Sequence, residues 1–275
     1  MAAASALAPT VLWAEQREAA DSATSQAASA RLATFEEVWR TARDRFYDPH
    51  LHGLDWSAVR ERYLPDATRA SSEEALASVI NSMLSELHAS HTRYYTPYEP
   101  EYYQLSDIFA GALRRRGLER AFPSGRISYP GIGVLSRLDM QGRGVIAGVI
   151  EGTPAQQAGL LAGDVIVFAD GAPFQPVQSF RGQVGKEVAL GLRRAGAFMQ
   201  ISVTPVDIEP NKMFLDGLKA SARIIQANGR SIGYVHVWCY AGSVYQRTLE
   251  HLLSQSPLVR VFGANPTCAV GGRFR

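Results

Sequence analysis

The sequence has few cysteines and no large excess of positive charge. Its two cysteines, Cys239 and Cys268, are too few for a disulfide framework and are not spaced as metal ligands. The formal net charge is only +2, without the clustered excess of Lys and Arg that nucleic-acid binding needs. We therefore expect no metal, no cofactor and no nucleic-acid partner.

The N-terminus lacks a full membrane span. The stretch "MAAASALAPTVLWAEQ" is apolar and ends in small residues, but it is shorter than the roughly 20 residues a span requires, and no Lys or Arg precedes it. Residues 15–31 are rich in Ala and Ser, as is typical of a linker. We assign residues 1–31 to a signal-like or disordered tail. An export signal would place the protein in the cell envelope, the periplasm or outside the cell; otherwise it is cytoplasmic.

What the sequence does contain is enough apolar material, 46% of 275 residues, for about two domains with cores. Thr34 with Glu37, and Ser71 with Glu74, have the spacing of capping boxes. Each pair is followed by apolar residues at steps of three and four, which indicates helices. The pattern predicts an N-terminal helical domain over residues 34–110.

Ser90 and His91 lie just after the last apolar stripe of this domain, where the helical pattern gives way to an aromatic run. A His near a helix C-terminus commonly interacts with the helix dipole. It could also serve as a general base. The residues alone leave both interpretations open.

The stretch "GTPAQQAGLLAGDVIVFADG" at 152–171 has turn chemistry that can be assigned residue by residue. Thr153 is expected to cap a short helix, Pro154 to occupy its first position and Gly159 to end it. Asp170 and Gly171 predict a tight hairpin. The whole stretch resembles the signature of bacterial-type PDZ domains, and we place such a domain at residues 131–205.

The sequence "GIGV", residues Gly131, Ile132, Gly133 and Val134, stands where PDZ domains carry their carboxylate-binding loop. Glycines allow successive backbone N–H groups to face one anion, and the strand that follows offers an open edge to an extended peptide. This loop predicts a polypeptide partner with a free C-terminus.

The last segment begins with an alternating pattern, "SIGYVHVWCYAGS", at 231–243, which predicts a strand. A helical pattern follows from Ser243 to Leu253, and "LVRVF" is strand-like again. A β-α-β order implies a parallel sheet, so residues 231–275 read as the start of an α/β catalytic domain. The expected fold is therefore a multidomain α+β protein.

The order of helical domain, PDZ domain and "IGYVHVW" strand resembles the C-terminal processing peptidases, or tail-specific serine proteases, nearer their tricorn-core branch, over about residues 34–258. The resemblance implies acyl transfer by a serine nucleophile in the sheet domain, with a PDZ domain presenting substrate ends. It also implies that Ser90 and His91 complete the catalytic group, with His91 as general base. In the Ser/Lys branch of the family this His has no such role.

The sequence also departs from this family. Members continue with an Asp-Leu-Arg strand, a Gly-Gly loop and a long segment with the nucleophile, whereas this chain reads "LVRVFGANPTCAVGGRFR". We therefore expect a peptidase fragment without its nucleophile, inactive as it stands. The alternative is a non-catalytic protein that binds peptides through its PDZ domain.

Overall fold

The computed structural model describes residues 9–117, 122, 125–138, 144–255 and 258, and it divides the chain into two compact units, Met1–Thr96 and Pro97–Arg275. The strand expected at 258–262 lies outside the described residues except for Leu258, as do Cys268 and the start of the tail. The first unit is helical, and the second combines strands with helices. The result is a mixed α+β fold, as the sequence predicts.

The first unit is helical and has one apolar core. The buried side chains of Phe35, Leu76 and Ile80 lie at its centre. Two tryptophans lock the first two helices together, since each indole N–H donates to the other's backbone carbonyl: Trp39 to Trp56 at 2.9 Å and Trp56 to Trp39 at 3.0 Å. The helices of this unit are α1 (Pro9–Arg45), α2 (Trp56–Arg69) and α3 (Glu73–Ser85), with a short 3₁₀ turn at Leu51–Gly53.

Helix α1 begins earlier than the sequence pattern indicates, and it includes residues 15–31, which we expected to be a linker or disordered tail. No Gly or Pro interrupts residues 11–45, and Ala is the strongest helix former. Thr34 is therefore not a cap: inside the helix, its hydroxyl donates to the Ala30 carbonyl at 3.1 Å. The cap of α3 is Ser72 rather than Ser71, because the Ser72 hydroxyl accepts from the Ala75 N–H.

The second unit contains an antiparallel sheet of PDZ type. Its main path runs β2-β3-β4-β6-β7, with β5 added to β4, while β1 pairs separately with β8. Phe180, Leu190 and Leu192 form the centre of its core. The elements are β1 (Tyr129–Gly131), β2 (Val134–Leu138), β3 (Gly144–Val149), α6 (Pro154–Gln157), β4 (Val165–Ala169), β5 (Ala172–Pro173), β6 (Val188–Arg194), β7 (Ala197–Val203) and β8 (Val206–Ile208), with a 3₁₀ turn at Gln178–Phe180.

The remaining elements of the second unit are α4 (Pro100–Ile108), α5 (Ala110–Arg115), α7 (Pro210–Ser221), β9 (Arg223–Ala227), β10 (Arg230–Tyr234) and α8 (Ser243–Ser254). Helix α4 belongs to the second unit, although we expected the helical domain to continue to residue 110. The Asp107 carboxylate accepts from the Asn211 N–H at 2.8 Å, and Tyr103 stacks on Tyr129 at 5.2 Å. These contacts hold α4 to α7 and to β1.

The strand predicted at 231–243 ends at Tyr234. Its partner is the antiparallel β9, which starts only at Arg223 because α7 occupies the chain up to Ser221. Beyond Tyr234 the described part of the chain places no strand beside this backbone, and the His236 N–H donates to the Ser221 hydroxyl at 2.7 Å instead. The predicted helix at 243–253 is confirmed as α8.

Within the residues that the structure describes, no helix combines the length and hydropathy needed to cross a membrane. The same residues contain no group of three or more His, Cys, Asp or Glu side chains able to hold a metal ion.

Candidate functional site

The segment Gly131–Val134 forms one loop that joins β1 to β2. Two of its backbone carbonyls accept hydrogen bonds from other parts of the PDZ region. The Ile132 carbonyl accepts from the Ala155 N–H at 2.8 Å, and the Gly133 carbonyl accepts from the Ile150 N–H at 3.0 Å. In a trans peptide, the C=O and the N–H of the next residue point in opposite directions. The N–H groups of Gly133 and Val134 therefore point away from the Ala155 and Ile150 donors; Gly133 is buried, whereas Val134, the first residue of the open-edged β2, is partly exposed.

Close packing explains both glycines of the loop. A Cβ on Gly133 would lie 2.4 Å from the Thr153 side chain, and the residue has a left-handed φ of +84°. A Cβ on Gly131 would lie 2.9 Å from the Tyr129 ring. Ile132 between them is 2% exposed and anchors the loop in the sheet core. The loop is thus fixed by its neighbours, and a side chain at either glycine would displace it.

Strand β2 supplies the other half of a peptide-binding site. It lies at the end of the sheet, pairing with β3 on one side and with no described strand on the other. An unpaired strand edge can accept an extended peptide as an additional strand. The loop and this edge are continuous, because Val134 is both the last residue of the loop and the first of β2.

The residues around α6 occupy the predicted positions, but the Thr153 side chain makes no capping hydrogen bond. Thr153 is the N-cap residue, Pro154 opens the helix, and Gly159 follows it with a left-handed φ of +77°. Asp170 and Gly171 both have positive φ and join β4 to β5, as the hairpin prediction requires. The sequence predicts Thr153 only as a helix cap, and its contact with Gly133 was not predicted.

Ser90 and His91 lie in the first unit, after the end of α3 at Ser85. His91 is exposed and adopts a left-handed backbone with a φ of +64°, which is uncommon for any residue except glycine. It lies beyond the last turn of α3, so the interpretation as a helix cap has no support, because the dipole effect falls off within that turn.

Two side chains hold the ends of the loop that carries His91. The Asn81 amide donates to the Tyr94 carbonyl at 3.0 Å and accepts from the Tyr94 N–H at 2.8 Å. At the other end, the His52 Nδ1 lies 2.9 Å from the Leu87 carbonyl oxygen, and it must donate there because a carbonyl can only accept. The loop between Leu87 and Tyr94 is therefore fastened at both ends.

His91 borders a groove of about 710 Å³ in the first unit. One wall is the C-terminal half of α1, with Val38, Ala42 and Phe46; the other is the chain from His91 to Tyr94. A side chain here is open to another molecule or segment, which a general base requires.

Comparison with known families agrees with these two units. Residues 29–85 match the tricorn protease C1 domain, and residues 130–204 match the PDZ domain. The chain is 26% identical over 230 residues to the chloroplastic carboxyl-terminal-processing peptidase 2 of Arabidopsis thaliana, covering 79% of this chain and 41% of that protein. It is 27% identical over 210 residues to tricorn protease homolog 1 of Streptomyces coelicolor, covering 74% of this chain and 18% of that protein.

Among solved structures, the photosystem II D1 C-terminal processing protease aligns with 25% identity over 65% of this chain and 44% of its own, with a TM-score of 0.36. The chain therefore spans less than half the length of the relatives it matches. It carries a tricorn protease C1 domain followed by a PDZ domain, and it is a relative of the carboxyl-terminal-processing peptidases and the tricorn protease homologues.

Proposed function

We propose that this chain binds the free C-terminal end of a polypeptide at the Gly131–Val134 loop and presents it for cleavage by a serine peptidase of the C-terminal-processing family. The observation that carries the proposal is the direction of the loop: the carbonyls of Ile132 and Gly133 are bound internally, which turns the next N–H groups away from those internal donors. The open edge of β2 then takes the peptide as an extra strand.

The negative charge at the C-terminus of the peptide should strengthen its hydrogen bonds to the loop. Hydrogen bonds to a charged group contribute about 1.5–3 kcal/mol, against about 1 kcal/mol for neutral pairs. A C-terminal carboxylate therefore gains more from these N–H groups than a C-terminal amide, which carries no charge. The strand contacts along β2 are the same for both peptides, so the difference between them isolates the loop.

In the catalytic role, His91 is the general base and Ser90 assists it, while the nucleophilic serine belongs to the sheet domain that the resemblance implies. The exposure of His91, its left-handed backbone and the fastening of its loop by Asn81 support this assignment. Backbone strain of this kind costs about 1–3 kcal/mol and persists where the surroundings impose it, often at functional sites.

A second function, a peptide-binding protein without catalysis, uses the same loop and the same strand edge. The two functions differ at His91. In a chain that also carries the sheet domain with the nucleophilic serine, His91→Ala should lower the rate of hydrolysis of an unstructured protein only in the catalytic role. It should leave peptide affinity unchanged in both, and His88→Ala, another left-handed His in the same loop, is the matched control.

Calorimetry with paired peptides tests the capture of a C-terminus. The full chain is titrated with unstructured peptides whose last residue is apolar, polar or charged, each made with a free and an amidated end. We expect amidation to weaken the best-bound peptide by about 1–3 kcal/mol. Gly133→Val should weaken the free peptide too, because its side chain would collide with Thr153. Equal affinities for free and amidated ends would contradict the proposal.

A further inference from the structure

We propose that Thr153 is a positioning residue whose hydroxyl sets the direction of the carboxylate-binding N–H groups, and thereby the preference for a charged peptide end. The inference rests on the proposed capture of a C-terminus. Thr153 is 8% exposed, so it does not present itself to a ligand, and it acts through the loop behind which it lies.

The first observation is that the Thr153 side chain does not cap α6, although the residue stands at the N-cap position. It is the N-cap residue of α6, and an N-cap hydroxyl normally accepts from an N–H in the first turn of its helix. Here the side chain makes no capping hydrogen bond. Its Oγ1 instead lies 2.6 Å from the Ile150 carbonyl oxygen and 3.3 Å from that of Gly133. The hydroxyl proton is therefore directed away from the helix, mainly to the Ile150 carbonyl, with the Gly133 carbonyl as a longer second contact.

The second observation is that Ile150 links this hydroxyl to the loop. The Ile150 carbonyl accepts from Thr153, and the Ile150 N–H donates to the Gly133 carbonyl at 3.0 Å. Both backbone groups of Ile150, which is fully buried, are thus used. Through Ile150, Thr153 holds the peptide unit between Gly133 and Val134, and the Val134 N–H belongs to that unit.

The third observation is steric. The Cβ and Cγ2 of Thr153 both lie 2.4 Å from the point where a Cβ of Gly133 would stand, so the threonine side chain presses directly on the glycine backbone. The hydroxyl and the methyl group have separable tasks: the methyl fills space beside Gly133, and the hydroxyl holds Ile150, whose N–H orients the Gly133 carbonyl. A residue that served only as packing would need no hydroxyl.

Substitutions can separate these tasks. Thr153→Val keeps the shape and removes the hydroxyl, whereas Thr153→Ser keeps the hydroxyl and removes the methyl group. Thr153→Ala, compared with Thr153→Ser, isolates the hydroxyl a second time if the valine variant does not fold. Circular dichroism and thermal unfolding of the full chain establish which variants are folded.

The measured quantity is the ratio of dissociation constants for one peptide with an amidated and with a free end. We expect about a tenfold or larger ratio for the wild type, since about 1.4 kcal/mol corresponds to a factor of ten. The ratio should fall to within about threefold of unity in Thr153→Val and Thr153→Ala, with the amidated peptide bound nearly as before. Thr153→Ser should keep the wild-type ratio.

Three results would overturn the inference. An unchanged ratio in Thr153→Val and Thr153→Ala would show that the hydroxyl does not orient the loop. An equal loss of affinity for both peptides would show that Thr153 is only structural. A wild type that does not distinguish the two ends would remove the proposed function itself, and this is seen before any variant is made.

Discussion

A single methyl group on Gly148 should destabilise the second unit, because the Trp238 ring lies in direct contact with this position. A Cβ on Gly148 would stand 2.8 Å from Cζ3 and 2.9 Å from Cη2 of that ring. The ring cannot retreat easily: its Nε1 donates to the Glu151 carboxylate at 2.6 Å, and the His236 ring stacks on it at 3.7 Å. On the side of α7, a Cβ on Gly217 would already lie 3.4 Å from Trp238.

The expected magnitude follows from two opposing effects of Gly148→Ala. Overpacking a close-packed site costs about 1–3 kcal/mol. Replacing a strand glycine by alanine recovers about 0.5–1 kcal/mol of backbone entropy. The steric cost exceeds the gain because a contact below 3.0 Å must be relieved, so we expect a net loss of about 1–2 kcal/mol in the free energy of unfolding.

Native-state hydrogen exchange, read by mass spectrometry on the full chain, resolves this loss by region. A loss of about 1–2 kcal/mol should accelerate exchange about 5- to 30-fold in peptides from β3 and α7, and it should leave α3 of the first unit unchanged. The matched control is Gly144→Ala on the same strand, where a Cβ meets nothing within 4 Å. If Gly148→Ala exchanges no faster than Gly144→Ala, the Trp238 ring is not fixed as described and the reasoning fails.

Two further predictions concern other parts of the chain. Burial raises the pKa of Asp164, but bonds from Arg194 at 2.7 and 2.8 Å and from the Leu161 N–H outweigh this, so its pKa lies below the ordinary value. Its contribution to stability is therefore complete above the unfolded pKa of about 3.9 and is lost as the pH falls through the lower folded value. Urea unfolding between neutral pH and pH 3 should show a steeper acid loss for the wild type than for Asp164→Asn, and parallel curves would contradict it. Asn81→Ala should remove two hydrogen bonds to Tyr94, worth about 1–2 kcal/mol together, and accelerate amide exchange over the His91 loop about tenfold. Ser82→Ala on the same helix should not accelerate it. Equal exchange rates in both variants would show that Asn81 does not hold this loop.

The sequence predicts the PDZ region well because its signals are local. Thr153 with Pro154 starts α6, and Asp170 with Gly171 forms the hairpin, since each choice depends on the dihedral angles of the residues themselves. Helix α1 was predicted too short because one local pattern was outweighed by the residues before it. The capping box at Thr34 is a real local pattern, but an uninterrupted Ala-rich stretch before it continues the helix and leaves the cap unused.

The last predicted strand failed for a non-local reason. The alternating pattern continues to residue 243, yet a strand needs a partner, and β9 offers one only as far as Tyr234. Trp238, which the pattern placed in that strand, instead covers Gly148 of the PDZ sheet. Nothing in the local sequence of either residue indicates this contact, because it joins segments far apart in the chain.

The candidate site depends both on local sequence patterns and on contacts between distant segments, as strand β2 shows. Val134 packs into the sheet core on one face of β2, and Leu135 packs on the other face in the cluster that includes Trp238. One edge of the strand is paired with β3. At Val134 and Leu135 both faces are covered and one edge is paired, so a peptide can approach this part of β2 only along the remaining edge, next to the Gly131–Val134 loop. The glycines mark the loop in the sequence, but the restriction to one edge depends on residues from β3 and from the segment around Trp238, so it is a property of the fold.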